Sequence, residues 1–321
     1  AAIDLMKNKK LIVSITSTGR SLLIKEDLEA KFLKKEFPIE LRKLKDILYK
    51  IASDEIHGSI NVEVNSIQFD SRKVRSNDLF VAQKGVTVDG HLFIEKAINL
   101  GAIAIVCEEL PADTKEGITY LQVKDANSTL AIMASNYFDN PSSHLKLIGV
   151  TGTNGKTTIV SLLWQLFKKA GFKVGLLSTV KVIVDTIEFE ATHTTPDSIT
   201  INQYLRKMVD TGVEYCFMEV SSHGILQKRS HGLQFEGGVF TNLTHDHLDY
   251  HTSFAEYRDV KKSFFDSLPK SAFALVNIDD KNGAFMLQNT KAQQKSYALK
   301  TMADFRAKVL EKMMSGSLLT I

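Results

Sequence analysis

The 321-residue sequence is poor in cysteine, tryptophan and proline, with two, one and five of them. Two cysteines do not make a disulfide framework, and both lie in apolar runs, Cys107 in AIAIVCEE and Cys216 in EYCFMEV. They read as buried thiols of a reducing compartment. Long hydrophobic runs are missing: none approaches the roughly 20 residues of a membrane span. The early stretch LIVSI is too short for a secretory signal, and the chain opens on Ala1, so its natural start is expected upstream. Charge of one sign is also lacking, with 40 Lys and Arg against 37 Asp and Glu. The small excess lies in residues 1–50, so no basic stripe marks the rest as a nucleic-acid surface. Repeats and low-complexity tracts are absent. What is there is a 44% apolar chain long enough for two domains.

Residues 1–43 are basic, helical in flavour and carry no motif. From Leu44 a small α/β unit is predicted. NVEVNSIQFD (61–70) alternates as a strand, DLFVAQKG (78–85) is a short apolar run, and FIEKAINLGAIAIVCEE (93–109) reads as helix, stop at Gly101, then strand. ITYLQV (118–123) is another strand, Asp125 to Asn140 is helical, and Pro141-Ser142-Ser143 reads as a linker. LKLIGVTG (145–152) opens a second unit with a buried parallel strand. A helix follows from Lys156, with Ile159, Leu163, Leu166, Phe167 and Ala170 at helical spacing. KVGLLST, EYCFMEV and GGVFTNL supply further buried strands, with a helix at 199–211. The fold class expected is α/β: a small N-terminal unit over 44–140, then a doubly wound, mostly parallel sheet over 141–321.

Three polar constellations sit at strand ends. IGVTGTNGKTT (148–158) lies between a buried strand and a helix. There Gly152, Thr153, Asn154 and Gly155 can wrap a phosphate, Lys156 can reach it, Thr157 can hold Mg²⁺, and Thr158 continues the turn. The usual phosphate-loop pattern wants glycine at position 150, which is Val150. The plainer reading is a glycine turn with an exposed lysine; the strand–loop–helix context favours the phosphate loop. THDHLDYH (244–251) follows the strand GGVFTNL, and its three histidines and two aspartates suggest a metal. A binuclear hydrolase pattern fits His245, His247 and Asp249 but breaks at Tyr250. In MEVSSHGILQKR (218–229), Glu219 ends a strand, where a carboxylate can bind Mg²⁺. Ser221 and His223 lack the elbow of a nucleophilic serine. An anion held by Ser221 and Arg229 is the simpler reading.

Taken in order, TGTNGKTT, HTTPDS, EVSSHGILQKR and TNLTHDHLDYH resemble the Mur ligases of peptidoglycan synthesis, and most closely those that add a diamino acid. FDSRKVRSNDLFVAQKGVTVDGHLF (69–93) is similar to their UDP-sugar-binding domain. The resemblance runs from Leu44 to Ile321. The family loop, G-x-x-G-T-x-G-K-[ST], is met from Gly149 to Thr157.

The resemblance implies an ATP-dependent, Mg²⁺-dependent ligase of the cytoplasm, monomeric and outside the membrane. It would join diaminopimelate or lysine to UDP-N-acetylmuramoyl-dipeptide through an acyl phosphate. It implies Thr157, Glu219 and His247 around Mg²⁺, Ser71 at the UDP, and Asn277 near adenine. Thr194, Thr195, Ser221, Gln227 and Arg229 would hold the muramoyl peptide. It also implies a lysine carbamylated by CO₂ on the helix SFAEYRDVKKSFFDSL (253–268). The family spacing from Tyr257 selects Lys261; periodicity places Phe254, Tyr257, Lys261, Phe264 and Phe265 on one face and turns Lys262 away.

The family's C-terminal amino-acid-binding domain is expected to be missing, with FRAKVLEKMMSGSLLTI a strand pair caught mid-sheet. Val86 and Thr87 stand where relatives carry polar uracil contacts. Two other readings remain: a ligase of the folylpolyglutamate-synthase group, which lacks the UDP-binding segment, and a non-catalytic nucleotide-binding fragment.

Overall fold

The computed structural model describes residues 41–85, 88–191, 193–244, 253–313 and 316–320. Its N-terminal part starts with β1 (Arg42–Lys43), α1 (Leu44–Ile47), β2 (Glu55–His57), β3 (Glu63–Val64) and β4 (Ile67–Gln68). Then come β5 (Leu79–Val81), α2 (Ile94–Asn99), β6 (Ala104–Cys107), β7 (Thr119–Gln122) and α3 (Ala126–Tyr137). β4 to β7 run parallel in chain order, and β2 closes the far edge antiparallel to β7. The expected strand 61–70 is split: β3 pairs with β1 outside this sheet, and only β4 enters it. One face buries Leu79, Val81 and Val106 against α1 and α3; the other buries Phe80, Ile105 and Cys107 against α2. Both expected buried thiols are buried, and burial pushes the Cys107 thiol up to about 11.

The second sheet begins with β8 (Lys146–Thr151), α4 (Lys156–Lys169), β9 (Val174–Leu177), β10 (Lys181–Val184) and β11 (Ile187–Glu190). It continues through α5 (Ser198–Asp210), β12 (Tyr215–Glu219), α6 (Ser222–Leu226), β13 (Gly237–Phe240) and α7 (Phe254–Asp266). β14 (Phe273–Asn277), α8 (Gly283–Met286), β15 (Gln293–Ala298) and β16 (Phe305–Arg306) complete it. The strand order is 11-10-9-12-8-13-14-15-16. All neighbours from β9 to β16 are parallel; the β10–β11 hairpin, unforeseen in the sequence, is the antiparallel exception. The chain leaves β8 toward β9 on one side and leaves β13 toward β14 on the other. The β8/β13 pair is therefore the switch point, where open α/β sheets bind ligands beyond the strand carboxyl ends.

The two faces of β8 explain its uninterrupted apolar run. Leu147 joins the core under α5 and α7, while Ile148 and Val150 join the core under α4. Gly149 and Gly238 are neighbours across β8 and β13. A Cβ on either would meet the Phe264 ring of α7, at 2.6 Å and 2.8 Å. The missing side chains thus make a flat bed for that ring.

Three expectations need correction. α4 buries Val160 and half-buries Ile159, Leu163 and Phe167, but Leu166 is 60% exposed and Ala170 is exposed, because they lie on the outer side. Pro141-Ser142-Ser143 is no loose linker. It is a 3-10 turn with Pro141 and Ser142 buried, and the Ser142 hydroxyl accepts from Gln234 N (3.1 Å). At the end, β17 (Lys308–Met313) and β18 (Gly316–Thr320) pair with each other, apart from the large sheet.

Candidate nucleotide and substrate site

The loop after β8 is held in shape from two sides. Gly152 has φ +149°, and a Cβ there would stand 1.9 Å from Thr241 Oγ1. No other residue fits. Lys156 opens α4, and its ammonium reaches back to donate to the carbonyls of Gly152 (2.9 Å) and Thr153 (2.8 Å). The segment leaving β13 braces the outside. Thr153 N donates to Asn242 O (2.8 Å) and Asn154 N to Asn242 Oδ1 (3.0 Å). Asn242 Nδ2 and Thr241 Oγ1 both donate to Asn154 O (3.0 and 2.7 Å). The helix start, with Thr157 half-buried and Thr158 exposed, is thereby presented at the switch point.

Glu219 ends β12 opposite Val150 of β8 and is fully buried. Its carboxylate accepts from Thr179 N (2.8 Å) and Thr179 Oγ1 (3.2 Å). Thr195 Oγ1 donates to the Glu219 carbonyl (3.0 Å) and accepts from Ser221 N (3.0 Å). The Ser221 hydroxyl caps α6, accepting from Gly224 N (3.1 Å). Arg229 donates to Thr195 O (2.6 Å) and, through Nε and Nη2, to Gln227 Oε1 (2.9 and 2.7 Å). Hydroxyls and guanidinium are thus locked together before any ligand arrives.

Lys261 comes from the opposite face. It is 1% exposed, lies 4.7 Å above the Tyr257 ring, and donates to Gly152 O (3.1 Å). Two ammonium groups therefore meet on one loop carbonyl. Lys262 does turn away from the loop, but it is buried too; it pairs with Asp266 (2.7 Å). Helical periodicity alone missed that α8 covers this flank, with the Phe285 ring 5.8 Å from the Lys262 ammonium.

A cavity of about 310 Å³ gathers Lys156, Lys261, Arg229, Thr194, Thr195 and Ser221. His193, Ser222 and His223 complete its lining, without a role assigned from sequence. No carboxylate is among the described residues that line it. A larger, more open groove of about 540 Å³ between α6 and α7, lined by Leu226, Lys228, Glu256 and Asp259 among others, holds none of the expected residues.

Asn277 lies off this cavity, donating to Thr241 O (2.9 Å) and accepting from Asp279 N (3.1 Å). Nearby, Tyr297 donates to Phe240 O (3.1 Å); burial first and Asp280 second push its phenol up to about 12, so it stays a donor. Ser71 is buried in the 3-10 turn 71–73 of the N-terminal part, beside Asp70. His247 lies outside the described residues, as do Val86 and Thr87. Among the described residues no cluster of three His, Cys, Asp or Glu could hold a metal. Sequence reasoning also missed Thr179, Asn242 and Tyr257. For the first two the signal was present: a polar residue close behind an apolar strand.

A doubly wound sheet with a glycine–lysine loop at its switch point defines a phosphate-loop nucleotide-binding fold. Residues 150–321 match the Mur ligase middle domain, and residues 63–138 match the Mur ligase family catalytic domain. The chain belongs to the Mur ligase family.

Among its relatives, the UDP-N-acetylmuramoyl-L-alanyl-D-glutamate–2,6-diaminopimelate ligase of Cytophaga hutchinsonii is 53% identical over 274 residues, which are 85% of this chain and 56% of the relative. The enzyme of the same name from Bacteroides fragilis is 51% identical over 86% of this chain and 57% of its own length. The chain thus spans a little over half the length of these relatives. A solved structure of a 2,6-diaminopimelate ligase of that name shares the fold, with TM-score 0.74 and 24% identity over 87% of this chain and 57% of that one.

Proposed function

We propose that the chain carries the nucleotide and UDP-substrate sites of an ATP-dependent amide ligase, which adds diaminopimelate to UDP-N-acetylmuramoyl-L-alanyl-D-glutamate. The observation that carries this reading is the cavity. Lys156, Lys261 and Arg229 face one space that no described carboxylate lines. Such a space suits the meeting of two anions, a triphosphate and a substrate carboxylate. Diaminopimelate is preferred over lysine because the relatives at 48–53% identity carry that name.

In this reading residues 44–140 hold the UDP sugar, with Ser71 at the uridine end, and 141–321 hold ATP. Lys156 and the loop amides grip the β- and γ-phosphates. Thr194, Thr195, Ser221 and Arg229 hold the muramoyl peptide, with Gln227 fixing the guanidinium. Asn277 supports the adenine side. The substrate carboxylate attacks the γ-phosphorus and ADP leaves. The incoming amine then adds to the acyl carbon, the C–O bond to phosphate breaks, and the amide forms.

Thr157, in the first turn of α4, and Glu219, at the end of β12, are hard oxygen donors, a set that fits Mg²⁺ together with phosphate oxygens; His247 would join them. Bound there, Mg²⁺ supplies positive charge for the transferring phosphoryl group. Carbamylation of Lys261 is part of the proposal; it would exchange that cation for a carboxylate able to help hold Mg²⁺, leaving Lys156, Arg229 and the metal as the positive charge around the two anions. CO₂ adds only to a neutral amine, and a buried amine beside a second cation yields its proton most readily. The reading takes in the cytoplasm, where ATP and nucleotide-linked sugars are found, and a monomeric enzyme; no helix among the described residues is long and apolar enough to cross a membrane.

Calorimetry on this chain tests the reading. MgATP and the UDP-muramoyl dipeptide should both bind, and Lys156→Ala should weaken MgATP by about 10- to 100-fold, the scale of a lost charged hydrogen bond. A chain that binds neither ligand, or that binds a folate glutamate instead of the dipeptide, would overturn it.

A further inference from the structure

Thr153 belongs to the glycine–lysine loop, yet its side chain turns into the protein. It is 5% exposed. Its oxygen accepts from Thr244 N (3.0 Å), lies 3.1 Å from the Tyr257 hydroxyl, and is 3.4 Å from Thr244 O. Three chain segments converge on one atom: the loop itself, the strand exit 241–244, and α7.

Tyr257 is fully buried and one helical turn before Lys261, whose ammonium sits over its ring. The same aromatic side chain therefore touches the loop through its hydroxyl and Lys261 through its face. Lys261 in turn donates to Gly152 O, the residue before Thr153. This closes a ring of contacts: Gly152, Thr153, Tyr257, Lys261 and back to Gly152.

We infer that the Thr153 hydroxyl and Tyr257 are positioning residues, which bind no nucleotide but set the loop and Lys261 in one fixed relation. The physical reason is burial. Without the Thr153 oxygen, the Thr244 N–H and the Tyr257 hydroxyl each lose the bond that ties their segment to the loop; the bond to Tyr257 is buried and that to Thr244 partly so. A loop that has shifted off α7 offers its amides at the wrong height for phosphate. Valine has nearly the shape of threonine and cannot make these bonds. Serine can.

The inference rests on the nucleotide-binding reading, and the experiment separates the two. MgADP affinity is measured by calorimetry on the wild-type chain, Thr153→Ser, Thr153→Val, Tyr257→Phe and the Val/Phe double variant, with thermal midpoints alongside. Thr153→Val and Tyr257→Phe should each weaken MgADP by about tenfold, and the double variant by about tenfold in total, no more than either alone, since both remove one shared contact. Thr153→Ser should stay within about twofold of wild type. If the two losses multiply to about a hundredfold, the residues act independently and the inference falls. It falls equally if Thr153→Val binds as wild type does, or if affinity merely tracks the thermal midpoint across the set. A wild-type chain that binds no MgADP overturns the nucleotide-binding reading instead.

Discussion

Among the described residues, the strand ends of the two parallel sheets hold their cations differently. At the carboxyl ends of β5 and β6, polar side chains neutralise one another. Lys84 pairs with Glu109 (2.8 Å) and Glu108 (3.4 Å). His91 Nδ1 meets Asp89 (2.6 Å) while its Nε2 accepts from Glu108 N (2.9 Å), and Gln83 donates to Asn127. At the carboxyl ends of β8 and β12, Lys156 and Lys261 donate to loop carbonyls and Arg229 to a carbonyl and an amide oxygen. A carboxylate cancels the charge of its partner. A carbonyl orients a cation and leaves the charge standing. Among the described bonds, then, cations at the N-terminal sheet meet carboxylates, while those at the large sheet meet carbonyl and amide oxygens.

The largest break in this comparison should come from one methyl group. Gly152→Ala would drive Cβ into Thr241, so MgATP binding should fall by more than about 100-fold, as expected when a tight loop must give way at its ligand. Gly117 of the N-terminal part has φ +82° but nothing within 4 Å of its Cβ position. Gly117→Ala should leave binding intact and lower unfolding stability by about 1–2 kcal/mol, the left-handed penalty alone. Equal losses of affinity would mean the loop is less constrained than its contacts indicate.

A smaller effect concerns the join between the parts. His231 is lowered from the ordinary histidine value by partial desolvation first and by Lys228 second, against an opposing pull from Asp125; the residue is exposed, so solvent screens the effect. Its neutral form is favoured in the fold. The unfolded chain takes its proton near pH 6.5, before the folded one does, so stability is whole above that pH and declines below it. The unfolding free energy from urea titrations should fall between pH 7 and 5.5 by less than the ceiling of about 1.4 kcal/mol per pH unit for one proton. His231→Gln should flatten that slope.

The smallest effect lies at Asp70. The Arg72 side chain, together with its backbone N–H, holds this carboxyl down to about 2. Its contribution is present above about pH 4 and lost as pH falls through 2. Arg72 is open to solvent, so Asp70→Asn should barely move the midpoint at pH 6 and not at all at pH 2. A large shift would show that the N-terminal part depends on charge more than its self-paired groups suggest.

Four strands of the large sheet, β8, β9, β12 and β13, were legible because they are buried and read as apolar runs; β14 and β15, with alternating or mostly exposed patterns, were not read. The phosphate loop was legible because glycine spacing and lysine are local. The β10–β11 hairpin was not: its turn is Asp185-Thr186, with Asp185 at φ +56°, rather than the asparagine–glycine that usually marks one. Thr195 was named only through the family resemblance and Thr179 not at all; their bonds to Glu219, 24 and 40 residues on, have no local signature. Lys262 read as surface because a helix wheel does not know of α8. Local signals named the chemistry; partners distant in sequence set its geometry.

Gly149 opens the family's loop pattern, yet it never reaches the loop. With Gly238 beside it, it serves as a shim of zero thickness under Phe264. The seating height of α7 above the sheet is set by what is not there. A methyl group at either position would lift Phe264, and Lys261, three residues earlier on the same helix, would ride up with it and off the Gly152 carbonyl. The first letter of the motif is thus a gauge of clearance between sheet and helix, and only through that clearance does it concern phosphate.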